Sequence, residues 1–165
     1  ELMASWENRW APDRPIRVEK SPPNLIRSRF LQAAFSDARF VFIVRHPLAT
    51  ARATQKWSHA SGEHLFRHWL QGHRIMMEDT PLIQQSCCIR YEDVAADLNG
   101  TLMRVWDLAG VPPVAVHADS FSDHNPNYLE TGADFQVSAA ERRLLEAFGY
   151  ELESPFSRFD QRFGW

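Results

Sequence analysis

The sequence predicts an α/β domain built around a central parallel sheet, and three observations carry that prediction. Short apolar stretches suited to strands alternate with longer stretches of helical periodicity. The stretch FVFIV, residues 40–44, is apolar at every position, as a strand buried on both faces must be. Polar residues close the strand-like stretches just before helices begin, and open parallel sheets bind ligands at such strand ends.

Taken in chain order, residues 1–15 hold Trp and Pro without a readable pattern. Residues 16–20 read as a short strand. Pro22, Pro23 and Asn24 break it and start a helix, in which Ile26, Phe30, Ala33 and Ala34 recur at helical spacing. Ser36 and Asp37 end that helix, and residues 39–44 form the apolar strand. Pro47 suits a first helical turn, where its missing N–H costs nothing; this helix is expected to reach about Trp57. A loop over 58–62 leads to a long amphipathic helix over 63–79, with Phe66, Trp69, Leu70, His73, Met76 and Met77 on one face. SCCIRY, residues 86–91, reads as a second strand. Residues 93–109 read as one helix, striped by Val94, Leu98, Leu102, Val105, Trp106 and Ala109 and stopped by Gly110 and the Pro112, Pro113 pair. Residues 114–137 form a long loop region. Ser138 and Glu141 make a capping box for a helix through Phe148, closed by Gly149. The tail is irregular and aromatic. Trp57, Trp69 and Trp106 are assigned to the core.

Composition narrows the function. The chain has 165 residues, enough for one core, and its 44% hydrophobic and 24% charged residues are globular values. A net charge of −3 argues against a nucleic-acid partner. The longest apolar run falls far short of the roughly 20 residues of a membrane span, so no membrane contact is expected from this chain. No signal-peptide pattern and no initiator Met are present, so the chain is expected to be the later part of a longer protein. The missing targeting signal favours the cytoplasm; an anchor upstream would allow the Golgi lumen. Cys87 and Cys88 are adjacent and point to opposite faces of a strand, which suits two small buried residues and no disulfide or zinc site.

Three strand ends carry the candidate chemistry: Lys20, Arg45 and Tyr91. A guanidinium just before a helix N-terminus makes an anion site, because the helix start offers unpaired N–H groups and the positive dipole end. The guanidinium adds a planar fork matched to phosphate oxygens. Thr50 and Thr54 share a helix face and offer hydroxyls to the same anion. Spacing alone also allows an Arg in a structural ion pair and two solvated threonines. Lys20, held by the following prolines, reads as a cation for charge on a transferred group or as a surface lysine.

VEKSPPNLIRSRFLQAAFSDARFVFIVRHPLATARATQKW resembles the middle of a sulfotransferase that uses 3′-phosphoadenosine 5′-phosphosulfate (PAPS). CCIRYEDVAADLNGTLMRVWDLAGV resembles the family's second hallmark, a strand ending in RYED before a helix. The flavour is closer to the tyrosylprotein and carbohydrate branch than to the small-phenol branch. The resemblance implies a P-loop-like, three-layer α/β domain, incomplete at its N-terminus and filling residues 1–165 as a single partial unit. It implies sulfuryl transfer from PAPS to an acceptor hydroxyl on a protein tyrosine, a sugar or a small alcohol, without a metal. Arg45 would hold the 3′-phosphate. The family places a serine where this chain has Ala53, so Thr54, with Thr50, is the substitute contact. Lys56 falls where some members carry a further basic contact, and Tyr91 would approach the adenine or its ribose. Lys20 resembles the lysine that stabilises the sulfuryl group in flight. Pro22 stands where the small-phenol branch has its catalytic histidine, so that mechanism does not carry over.

The family grips the 5′-phosphosulfate with a glycine-containing turn upstream, whereas the first glycine here is Gly62. Backbone N–H cradles need glycine's conformational freedom, so that loop is expected to lie outside the chain. Glu1, Glu7 and Glu19 are available carboxylates, but none sits in a motif that marks a general base. His64 and His68, with His73 nearby, have zinc-compatible spacing on a helix, yet no third ligand is placed and solvated side chains suit them better. Asp119, Asp123, His124 and Asn127 make a polar loop that either touches the ligand or is plain surface. Two other readings stay open: a P-loop phosphotransferase, and a catalytically inactive adenosine-phosphate-binding module.

Overall fold

The computed structural model describes residues 5–6, 9–117 and 121–152. In chain order, a 3-10 turn (Pro22–Ile26) and α1 (Ser28–Ala34) precede β1 (Phe40–Val44). Helices α2 (Pro47–Gln55) and α3 (Gly62–Asp79) and a short 3-10 turn (Thr80–Leu82) lead to β2 (Ser86–Arg90). Then come α4 (Tyr91–Ala96), α5 (Leu98–Ala109), a 3-10 turn (Pro126–Tyr128) and α6 (Ala139–Ala147). The two strands pair in parallel, with Phe40 opposite Ser86 and Val44 opposite Arg90. The fold is therefore α/β with a parallel sheet, and α2 and α3 form the crossover that a parallel pair requires.

One face of the sheet carries the core. Phe42 and Val44 of β1 and Cys88 of β2 meet Leu48 and Ala51 of α2, and Phe66, Trp69, Leu70 and Met76 of α3. Leu145, Phe148, Tyr150 and Leu152 close the cluster from the other end of the chain. The long helix follows the predicted pattern: Ser61 caps its start through His64 N–H, and Phe66, Trp69, Leu70, His73 and Met76 face inward. Burying each large apolar side chain contributes about 1.5–3 kcal/mol, so α3 is the element on which the core most depends.

The other face is covered unevenly. Cys87 and Ile89 are buried, and α5 packs against β2. Val41 and Ile43 of β1 are 39% and 62% exposed. FVFIV was expected to be buried on both faces; among the described residues β1 is buried on one, because α5 lies against β2.

Several element boundaries differ from expectation for local reasons. Residues 16–20 form no strand, since no described backbone pairs with them; only the Trp10 indole donates to Val18 O, at 3.2 Å. The expected helix after the prolines is broken at Arg27, whose φ of −123° and ψ of 10° rotate the following turn. Ser28 and Leu31 therefore face inward, while Ile26 and Phe30 are 49% and 60% exposed. The predicted helix over 93–109 is two helices. Asp97, at φ −150° and ψ 89°, leaves the helix and caps α5 by accepting from Gly100 N–H at 2.9 Å. Helix α2 ends at Gln55, and Trp57 is 89% exposed, so it is not core. Trp69 is buried and Trp106 half-buried. The capping box at Ser138 and Glu141 is present in full.

Gly110 ends α5 in the left-handed conformation, at φ 69°. A Cβ there would stand 3.0 Å from Arg39 Nη1, which donates to Leu108 O at 2.8 Å. Gly110→Ala is expected to cost about 1–2 kcal/mol, the strain of an L-residue in this region. A urea midpoint shifted down with an unchanged m-value would show it; an unshifted midpoint would refute it.

Candidate functional site

The site forms where β1 ends and α2 begins. The strand carries Arg45 to its carboxyl end, and Pro47 fixes the first helical turn. Arg45 Nε donates to Asn125 Oδ1 at 2.7 Å. Its guanidinium carbon lies 4.4 Å from the Tyr91 ring centroid and 5.4 Å from that of Tyr128. Such cation–π contacts hold the planar fork in place. Nη2 is buried and has no hydrogen-bond partner among the described residues.

A cavity of about 370 Å³ opens beside Arg45. It is lined by Arg45, Thr50, Ala53 and Thr54 together with Ile43, Trp57, Trp69 and His73. Thr50 Oγ1 donates to His46 O at 3.1 Å, and Thr54 Oγ1 to Thr50 O at 2.7 Å. Both hydroxyls bond back to their own helix, so each must rotate before it can donate into the cavity. Ala53 lines the same cavity without a hydroxyl.

Tyr91 opens α4 instead of ending β2. Its hydroxyl donates to Ser122 O at 3.0 Å and accepts from His124 N–H at 2.9 Å. Lys56 Nζ donates to Tyr128 Oη at 2.8 Å. The structure thus places Thr50 and Thr54 on the cavity that Arg45 lines, Tyr91 against the Arg45 guanidinium, and Lys56 on Tyr128, whose ring also meets Arg45. Lys20 stands apart from them in kind: it lies on an exposed segment that is no strand, and makes no hydrogen bond or ion pair among the described residues. Glu19 is exposed on the same segment. Glu1, Glu7 and Asp119 lie outside the described residues, as do residues 153–165.

Sequence reasoning missed what stands behind Arg45. Asn125 is fully buried and donates from Nδ2 to Glu92 Oε1 at 2.6 Å. Glu92 Oε1 also accepts from His46 N–H at 2.9 Å, and Oε2 accepts from Tyr150 Oη at 2.8 Å. The anion met by the start of α2 in this structure is therefore the Glu92 carboxylate. The loop over 125–132 is clamped by Arg52, which donates to the carbonyls of Tyr128, Thr131 and Gly132. The sequence marked a polar loop here, but nothing in it signalled that Asn125 is buried against Arg45.

Burial sets the protonation states around the site. It holds His46 below its ordinary range and, with Glu92 beside it, pushes the Tyr150 phenol well above its own. His73 Nδ1 lies 2.8 Å from Trp69 O, an acceptor, so Nδ1 carries the proton. Burial lowers its pKa to about 4. Burial raises Cys88 to about 12, which keeps a thiol and not a thiolate in the sheet. His64 and His68 are exposed on α3, and among the described residues no group of three His, Cys, Asp or Glu is placed to hold a metal. No described helix is long and apolar enough to cross a membrane.

Comparison with known proteins adds two findings. A family profile described as "Sulfotransferase family" matches residues 3–115. The fold is similar to the solved "Sulfotransferase Domain from the Curacin Biosynthetic Pathway", at a TM-score of 0.65 and 20% identity, covering 92% of this chain and 68% of that one. Among curated proteins none matches the chain.

Proposed function

The chain belongs to the sulfotransferase family, and from that premise we propose that the Arg45 site holds the 3′-phosphate of PAPS for sulfuryl transfer to an acceptor hydroxyl. One observation carries the reading. Arg45 is fixed by Asn125 and two tyrosine rings, yet its Nη2 is buried without a partner. A buried donor left unpaired costs about 1–3 kcal/mol, and more when charged, so a native structure that keeps one calls for a missing acceptor. A phosphate oxygen is such an acceptor. When bound, PAPS would supply the activated sulfuryl group.

This chain's residues then have distinct tasks. Arg45 fixes one end of the donor, Thr50 and Thr54 add hydroxyl donors after rotating away from their helix carbonyls, and Lys56 adds positive charge at the rim. Tyr91 offers its ring beside Arg45 for the adenine or ribose. Lys20 steadies charge on the transferring group, an assignment that rests on family resemblance alone. Positioning and charge stabilisation are the main contributions such a site makes. We place the 5′-phosphosulfate loop in sequence that precedes this chain, which makes residues 1–165 a partial domain. A second reading, an adenosine-phosphate-binding module without catalysis, draws on one observation: no glycine precedes Gly62.

Calorimetric titration with 3′-phosphoadenosine 5′-phosphate tests the site, with adenosine 5′-phosphate as the ligand lacking the 3′-phosphate. The wild-type chain is expected to prefer the former. Arg45→Gln is expected to weaken it by about thirtyfold, the worth of one charge-assisted hydrogen bond at roughly 2 kcal/mol. Equal binding of both ligands, or an Arg45→Gln protein that binds like wild type, would overturn the assignment.

A further inference from the structure

We propose that Asn125 is the positioning residue that keeps Arg45 available as a cation, by passing on its hydrogen bond to Glu92 without its charge. The proposal rests on the reading of Arg45 as the phosphate-holding group.

The chemistry of the three side chains dictates the choice. A guanidinium only donates and an ionised carboxylate only accepts. Joined directly, Arg45 and Glu92 would form an ion pair, and the positive charge would be neutralised inside the protein. Asn125 stands between them. Its carbonyl oxygen accepts from Arg45 Nε at 2.7 Å, and its amide nitrogen donates to Glu92 Oε1 at 2.6 Å. Only a neutral group with one acceptor and one donor at that separation can satisfy both neighbours. Because each partner has a single possible role, the orientation of the amide is fixed.

The surroundings support the same reading. Glu92 takes its remaining hydrogen bonds from His46 N–H and Tyr150 Oη, so its charge is met by donors of its own. Asn125 is 0% exposed, and its backbone is held as well: its N–H donates to Asp123 Oδ1 at 2.8 Å, and its carbonyl accepts from Tyr128 N–H at 2.8 Å. Arg52 clamps the loop that follows. The side chain is thus fixed from both ends, as a positioning group must be. Arg45 in turn has Nε fixed and Nη2 buried without a partner, while the residue lines the cavity.

The test moves the carboxylate charge from Glu92 to the side chain that meets Arg45. The double variant Asn125→Asp/Glu92→Gln keeps the total charge and puts the carboxylate on Arg45; the introduced amide nitrogen bridges to it from the place of Oε1, which leaves His46 N–H without its acceptor. Affinity for 3′-phosphoadenosine 5′-phosphate is expected to fall about tenfold or more, with a smaller change for adenosine 5′-phosphate and a melting temperature lowered by the one lost hydrogen bond in a protein that still folds. A folded double variant that binds like wild type overturns the proposal and leaves Asn125 a structural residue. Asn125→Asp alone gives a second readout. Protonated, the introduced carboxyl group can accept and donate as the amide does; ionised, it cannot. The affinity of this variant relative to wild type is expected to rise as pH falls from 8.5 to 5, and a flat ratio near one overturns the proposal. If wild type shows no preference for the 3′-phosphate, the Arg45 reading itself fails, an outcome distinct from a normal wild type with indifferent variants.

Discussion

Glu92→Ala is expected to destabilise the fold by about 3 kcal/mol. One carboxylate accepts from His46 N–H, Asn125 Nδ2 and Tyr150 Oη, and these donors come from three separate parts of the chain. Tyr150 is 4% exposed and Asn125 is 0% exposed, so neither can turn to solvent when the acceptor is gone. Each stranded donor costs about 1–3 kcal/mol, reduced where water enters the space left by the side chain. At this chain length about 3 kcal/mol lowers the melting temperature by roughly 6–12 °C. Glu92→Gln keeps an acceptor oxygen and is expected to cost less than half as much. Thermal and urea melts of the two variants decide the matter: a Glu92→Ala protein within about 1 kcal/mol of wild type would mean that the three donors find other partners. The same substitution also loosens Arg45, since Asn125 loses the group that orients it.

Glu92 shows where sequence reading stops. Its place after a strand, in RYED, was legible, as was the α/β alternation that puts Arg45 at a strand end. Those features are local: a run of apolar residues, a proline at a first helical turn, a capping box. Helix α3 was legible almost to the residue because its inward stripe repeats along the whole length of the helix. What was not legible is long-range. Nothing in HNPNY says that Asn125 packs on Arg45, because that contact spans 80 positions. Asp97 looked like a helical residue because a stripe of half-buried side chains continues past it, while its backbone leaves the helix to cap the next one. Trp57 looked like core by its size alone, and size does not fix direction. Lys20 was placed on a strand by its apolar neighbours, yet a strand exists only when another backbone pairs with it. The candidate site was therefore half readable: the cation and the hydroxyls from spacing, the scaffold that aims them only from the fold.

Stability is expected to fall as the pH drops from about 6.5 toward 4, by roughly 3 kcal/mol from His73 alone. The imidazole is stacked on Trp69, with ring centroids 3.8 Å apart, and meets the edge of Phe148 at 5.5 Å. It is 7% exposed, and burial lowers its pKa from 6.5 to about 4. Between those values the unfolded chain binds a proton that the folded chain refuses. Stability therefore rises with pH across this window, at up to about 1.4 kcal/mol per unit, and is complete above the unfolded value. His46, also held low by burial, adds a contribution of the same sign. Glu141 acts only further down: its carboxyl is held below 4.5 by hydrogen bonds from Ser138 and Arg67, so its contribution is lost as pH falls through that lowered value. The interval from 6.5 to 4.5 consequently isolates the histidines. His73→Phe keeps an aromatic ring between Trp69 and Phe148 and removes the titration. Urea midpoints measured at about pH 7, 5.5 and 4.5 are expected to fall steeply for wild type and more gently for His73→Phe, with His46 supplying the remaining slope. Parallel profiles would show that His73 accepts its proton in the folded state, and hence that the ring against Trp69 is open to water.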